Sequence, residues 1–406
     1  VNCPKCELPI GSCRCYAPHR SERRRVRRRR THRSSLLPSQ PRSEASRRAS
    51  STRKAGRVSR KKTHVDGERR ALLASIAQTI QDYREGCLLR PISQHVERWV
   101  QQFDPDVQVP ILKEVNYVLK KTYFSKERVM DFLRRLIDNE KLTGHDPQRF
   151  WRSVQFLDIQ ARGNSQKDML ALFSEALRDK FGFGIEACSR RNEDFIYLDD
   201  GIFTGKHLRV DLKSWIHNKA PKQAQVHVVC IALHRYGQYY AKTRLQEAIQ
   251  EAQKDIEIRW WWKIELEDRK AYSHCADVLR PTHIPNDPAV EEYVASLRYK
   301  PTLRPPGHPG AAGLFSSDEA KILLEQEFLQ AGVRIRRMCP NTNSCHRPLG
   351  YMELETLGFG SPIVTYRNCP NTAPLAFWFG SPWYPLFPRI TNRQTDVESE
   401  DFEVPF

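Results

Sequence analysis

The chain has 406 residues, with 66 Lys and Arg against 48 Asp and Glu and a formal net charge of +18. Twenty of the basic residues but only three of the acids fall within residues 1–64, so only that tail has a nucleic-acid-binding composition. No apolar run of about 18 residues occurs, so neither a secretory signal nor a membrane-spanning helix is expected.

The tail opens with Cys3, Cys6, Cys13 and Cys15 in the pattern CPKC…CRC. Four thiolates in one short loop can surround a tetrahedral zinc ion. With Pro9 inside it, the pattern is similar to the short zinc knuckle that opens DTW-domain tRNA-modifying enzymes. No Asp-Thr-Trp follows, and the similarity ends with the knuckle. Arg23 to Arg30 reads RRRVRRRR and gives way to Ser, Arg and Pro mixtures. Such a segment cannot bury a core, so residues 1–65 are expected to be a disordered basic tail with non-specific attraction for nucleic-acid phosphates. The chain begins with Val rather than Met, which also fits a fragment or a reading frame opened upstream. The other seven cysteines are scattered without CxxC spacing, as expected for reduced thiols in a cytoplasmic protein.

Residues 66–147 carry helical stripes. Leu72, Leu73, Ile76, Ile80 and Tyr83 form one, and Leu112, Val115, Val118 and Leu119 another. Ser125 is placed to cap a helix containing Val129, Phe132, Leu133 and Leu136. This segment is expected to be an all-helical docking module.

Residues 148–300 alternate strands with helices. Val154–Gln160 (VQFLDIQ) reads as a buried strand, followed by the loop Ala161–Ser165 and a helix with Met169, Leu170, Phe173 and Leu177 on one face. Arg162 and the N–H groups of Gly163, Asn164 and Ser165 suit an anion, although an ordinary βα turn reads the same way. Phe195–Leu198 is a second apolar run, with Asp199 and Asp200 at its carboxyl end, where open α/β sheets bind ligands. The loop Gly201–Gly205 then leads to a helix with Leu208, Leu212, Trp215 and Ile216, so its N–H groups face an anion at a helix N-terminus. Two acids for ribose hydroxyls beside a phosphate cradle make a ribose 5-phosphate site. Val226–Leu233, a helix through Leu245 and Ala248, and Ile256–Leu266 complete an α/β class with a largely parallel sheet. The WWW run at Trp260 fits sheet core or an interface better than a base-stacking platform.

A Pro/Gly-rich linker, residues 301–313, precedes a C-terminal α+β extension over 314–390 and an acidic tail over 391–406. The extension opens with a helix from Ser317 to Ala331. Arg367, Asn368 and Asn371 lie among apolar residues and can either complete the site over the sheet edge or shape a loop.

The stretch LDDGIFTG resembles the phosphoribosyl diphosphate (PRPP) signature of type I phosphoribosyltransferases. The resemblance implies a type I phosphoribosyltransferase-like sheet and assigns Asp199 and Asp200 to the ribose hydroxyls. Gly201, Ile202, Phe203, Thr204 and Gly205 would wrap the 5′-phosphate, and Arg162, Gly163, Asn164 and Ser165 would hold the diphosphate, with Mg²⁺ accompanying PRPP. Two positions depart from the pattern. Phe203 stands where relatives acting on 6-oxopurines often carry an Asp, and Lys206 and His207 stand where a second Thr or Ser is common, leaving Lys206 as a replacement phosphate contact. Together with WVQQF at Trp99, FLDIQARGNSQ at Phe156, LGFG at Leu357, YRNCPN at Tyr366 and WYPLFPR at Trp383, it is similar to the phosphoribosyltransferase-like family of bacterial conflict systems, PRTase-CE. That resemblance runs from Asp66 to Ile390 and implies an anti-phage setting with a defence-system partner protein. Its core would be either a transferase acting on PRPP or a silent sensor of PRPP or a nucleotide.

Overall fold

The apolar stripes of the first third become helices because each buries one face. The chain was analysed as a computed structural model that describes residues 66–389 except Arg162, residues 189–192 and Asn341. The candidate zinc ligands Cys3, Cys6, Cys13 and Cys15, the basic tail and the 391–406 segment lie outside the described residues. Helix α1 covers 66–79 and buries Leu73 and Ile76. It is followed by α2 (Ser93–Val100) and α3 (Pro105–Thr122), the latter with Pro at its first turn. After the short strand β1 (Tyr123–Phe124), the Ser125 hydroxyl accepts from the Arg128 N–H at 3.2 Å and starts α4 (Lys126–Ile137), as its place in the sequence predicts. Short helices α5 (Glu140–Thr143) and α6 (Pro147–Ser153) lead to the sheet.

The sheet has four parallel strands in the order β2–β3–β4–β5. These are β2 (Gln155–Phe156), β3 (Asp194–Ile202), β4 (Gln223–His234) and β5 (Asp255–Leu266). The connecting helices are α7 (Ser165–Phe181), α8 (Lys206–Asn218) and α9 (Arg235–Glu251). This is the α/β parallel-sheet class expected of a phosphoribosyltransferase-like core. The period-2 alternation of β3 divides the core. Phe195 and Tyr197 pack with α8 and α9 in one cluster, while Ile196 and Leu198 pack with α7, the N-terminal helices and the C-terminal segment in the other.

The strand expected over Val154–Gln160 is only two residues long. The buried Gln166 side chain takes the N–H groups of Ile159 and Gln160 at 2.7 and 2.9 Å, and Asp211 takes that of Ala161 at 3.3 Å. Side chains thus claim the donors that a longer strand would give to its neighbour.

The Pro/Gly-rich stretch lies against the C-terminal helix. α10 (Pro288–Ala295) precedes it and α11 (Asp318–Met338) follows, capped by Ser317 and running past the expected end at Ala331 because Val333 and Ile335 are also buried. Arg304, wholly buried, bonds Glu325 at 3.0 Å and Asp318 at 2.6 Å, both on α11. Beyond α11 come the antiparallel pair β6 (His346–Arg347) and β7 (Gly350–Tyr351), then β8 (Val364–Thr365) and α12 (Leu375–Trp378). β8 pairs in parallel with β1, and Trp99 on α2 donates to the Ala376 carbonyl at 2.8 Å. Among the described residues no helix is long and apolar enough to cross a membrane. The tryptophan run lies on β5 at the sheet edge, where Trp261 donates to His227 at 3.1 Å and Trp262 is partly exposed.

Candidate functional site

The acid pair is built by β3. Its apolar run keeps pairing with β4 beyond Leu198, so Asp199 stands opposite Cys230, and Gly201 and Ile202 stand opposite Ala232 and Leu233. Asp199 is buried, and its Oδ1 accepts the Asp200 N–H at 2.8 Å. Burial and then the neighbouring Asp200 charge push its carboxyl up to about 8, against the opposing pull of the Ser165 hydroxyl and the Asp200 N–H. Asp199 therefore holds its proton more tightly than an ordinary carboxyl, and in the protonated form it can donate as well as accept. Asp200 has a partner from the far end of the chain. Arg367 Nη1 lies 3.0 Å from its Oδ2, while Nη2 and Nε hold Asp168 of α7 at 2.5 and 2.7 Å. Burial opposes the Arg367 charge, but the two carboxylates outweigh it and raise its pKa.

The loop Phe203–Gly205 joins β3 to α8 and touches α9 backbone to backbone. Gly205 has φ +69°, and a Cβ there would lie 2.3 Å from the Gly237 carbonyl oxygen. A Cβ on Gly237 would in turn lie 2.1 Å from the Phe203 carbonyl oxygen. Only glycine at both positions allows this approach. The Phe203 ring folds over Gly201 and meets His234 edge-on, with centroids 5.2 Å apart. His234 is held by Asp268 at 3.1 Å and by the fully buried Ser361 at 2.9 Å. Phe203 thus has a fixed place at the start of the loop, between Gly201 and His234.

The second loop is stapled from below. Gln160 and Gln166 bond each other, and Gln160 Nε2 donates to Ser165 Oγ at 2.8 Å. Gly163 has φ +93°, and Asn164 begins α7 without a side-chain cap bond.

A cleft of about 880 Å³ opens over these elements, within the size range of small-molecule sites. It brings together Gly163, Asn164, Ser165, Asp199, Asp200, Gly201 and Phe203. A smaller recess of about 170 Å³ at the start of α8 is bounded by Ile202, Thr204, Gly205 and Lys206, together with Tyr351, Asn371 and Thr372. Asp199, Gly201, Phe203, His207 and Asn371 border both spaces. Ile202 ends β3 with its side chain buried, and Lys206 is exposed and bonded to Glu353 at 2.6 Å. Arg162 lies outside the described residues. Arg367, Asn368 and Asn371 also line the cleft. Asp168, Arg84 and Arg389 were not anticipated from the sequence. Asp168 had the weak signal of an acid in the first turn after the loop, whereas the two arginines had none. Among the described residues no group of three or more His, Cys, Asp or Glu could hold a metal ion.

The start of α8, the acid pair and the second loop border one cleft, the arrangement in which open α/β sheets place ligands at the carboxyl ends of their strands. No curated protein and no solved structure matches the chain. The PRTase-CE family model matches residues 96–389, well over half the chain and inclusive of both loops and the C-terminal wall, so the chain belongs to the PRTase-CE family of phosphoribosyltransferase-like proteins.

Proposed function

We propose that the cleft binds PRPP or a related ribose 5-phosphate ligand and transfers its phosphoribosyl group to an acceptor. The observation that carries this reading is the acid pair at the end of β3, set beside a glycine-clamped loop at the N-terminus of α8. Asp199 and Asp200 hold the 2′- and 3′-hydroxyls. The N–H groups of residues 203–205, with Lys206, hold the 5′-phosphate in the smaller recess. Gly163, Asn164 and Ser165 face the diphosphate, and Arg162, which lies outside the described residues, is assigned to it from the sequence alone. An acceptor nitrogen attacks C1′, the C1′–O bond breaks, and the electron pair leaves with diphosphate. Asp200 suits a Mg²⁺ ion bound mostly by ligand oxygens and water, and such an ion would neutralise diphosphate charge. The conflict-system character of the family supports an anti-phage effector as the biological setting.

A second reading, a silent sensor of PRPP, is favoured by the Arg367–Asp200 ion pair. In that reading a ligand hydroxyl displaces Arg367, and the freed C-terminal segment signals to a partner. Titration calorimetry of the full chain with PRPP and Mg²⁺, followed by a diphosphate-release assay over a panel of acceptors, separates the two. Binding with release supports transfer, and binding without release supports sensing. Asp200→Ala should abolish binding while the protein remains folded. A folded variant that binds as tightly as wild type removes the basis of both readings.

A further inference from the structure

One wall of the large cleft belongs to neither the sheet nor its loops. It is made by the turn after α1 and by the segment before Ile390, which meet at Tyr83. The Tyr83 hydroxyl donates to the Pro388 carbonyl at 3.0 Å and accepts the Cys369 N–H at 3.2 Å. These bonds place Arg84 and Arg389, the neighbours of Tyr83 and Pro388, on the same wall.

Neither guanidinium group meets an acid among the described residues. Arg84 has φ +51°, an unusual conformation for a non-glycine residue, and its N–H donates to the Tyr366 carbonyl at 2.7 Å. Its Nη1 donates to the Arg367 carbonyl at 3.2 Å, while its Nε is buried without a hydrogen-bond partner among the described residues. Arg389 stacks on Trp378, with its Cζ 4.6 Å from the ring centroid, and makes no ion pair among the described residues. Burial and the charge of Arg84 both lower its pKa, against the raising influence of Cys369 and Tyr83. The cleft does contain carboxylates. Asp168 and Asp200 are taken by Arg367, Asp199 is buried on β3, and Glu85 and Glu175 are exposed with no bond to either arginine among the described residues. Lys126 adds a third positive charge at the rim. Two like charges held on one concave wall, one with an orphaned buried donor, are the complement of an anion.

We propose that Arg84 and Arg389 form a second anion subsite that takes a phosphoryl group other than the ribose 5′-phosphate. Arg84 precedes the residues matched by the family model. The phosphoryl group has two sources, the diphosphate of PRPP or a phosphate carried by the acceptor. The subsite rests on the ribose 5-phosphate reading only for the identity of the other group in the cleft.

The test uses the full chain and the variants Arg84→Gln, Arg389→Gln and their double, with melting temperatures confirming the fold and Arg389→Lys as the conservative control. Titrations with inorganic phosphate, ribose 5-phosphate, PRPP and, at saturating ribose 5-phosphate, AMP are compared. The double variant should keep ribose 5-phosphate affinity within about twofold and should weaken at least one of the other ligands by about tenfold or more, the scale of a charge-assisted hydrogen bond. Loss confined to PRPP identifies the diphosphate, and loss of AMP identifies an acceptor phosphate. Arg389→Lys should recover part of the loss. A folded double variant that binds all four ligands like wild type overturns the subsite. Wild-type protein that ignores ribose 5-phosphate but binds inorganic phosphate through these arginines overturns the ribose reading and leaves the subsite standing.

Discussion

The contact between the Phe203–Gly205 loop and α9 makes Gly237→Ala a sharp perturbation that changes no charge. The added Cβ would lie 2.1 Å from the Phe203 oxygen, 2.8 Å from its carbonyl carbon and 3.1 Å from the Gly205 nitrogen. All three are backbone atoms, so no side chain can swing aside. A real Cβ keeps at least 3.0 Å, so the loop and the helix must part by about 1 Å. Overpacking of this kind costs about 1–3 kcal/mol of stability. Misplacing a binding loop by about 1 Å costs on the order of 10²-fold in function. Calorimetry with ribose 5-phosphate should therefore show a loss near 10²-fold, alongside a modest fall in melting temperature. Gly380→Ala, where nothing lies within 4 Å of the new Cβ, is the control and should leave affinity unchanged. A Gly237→Ala protein with wild-type affinity would refute the reasoning, because the loop would then not need its backbone contact to hold the ligand.

Three other outcomes are expected. The raised pKa of Asp199 means that the folded state holds its proton more tightly than the unfolded chain, so this group favours folding fully below about pH 4 and loses that contribution as the pH rises through about 8. Asp199→Asn should match wild type in melting temperature near pH 4 and exceed it at pH 8, and equal melting curves at both pH values would contradict the assigned shift. Hypoxanthine and guanine should not be converted to nucleotides with PRPP, because Phe203 supplies no proton acceptor where one contributes about 10²–10⁴-fold; chromatographic detection of rapid IMP or GMP formation would show another base at work. Trp99→Ala removes a wholly buried ring that meets Phe103, Phe328 and Phe377 and donates to Ala376, so chemical denaturation should show a loss of about 3–5 kcal/mol. A loss below about 1 kcal/mol would mean that the N-terminal helices are not tied to the C-terminal segment through this residue.

The parts of the fold legible in the sequence are those with local causes. The strands β3 and β4 are continuous apolar runs, and Ser125 and Ser317 cap helices three residues ahead of the N–H groups they accept. Where the cause is distant, the reading drifts. The apolar residues after Gln155 suggest a long strand, yet Gln166 and Asp211 take its donors from other elements. Ile202 is apolar and follows Gly201, so nothing local shows that β3 runs through it and that the loop begins at Phe203. The same holds for the site. The acid pair and its loop are one contiguous stretch, whereas the Arg367–Asp168 bond joins residues 199 positions apart. Arg84 has no local pattern at all, since its role comes from a turn pinned by a hydroxyl to the other end of the chain.

That pin has a consequence for synthesis. Tyr83 and Pro388 are 305 positions apart. At about 5–20 residues per second, the ribosome adds the partner of Tyr83 roughly 15–60 s after Tyr83 itself. Once Gly205 has been added, the nascent chain carries the acids and the Phe203–Gly205 loop but still lacks the wall that bears Arg389. A chain released early therefore carries half a cleft, and under the proposed reading full ligand recognition begins only when translation has passed Arg389.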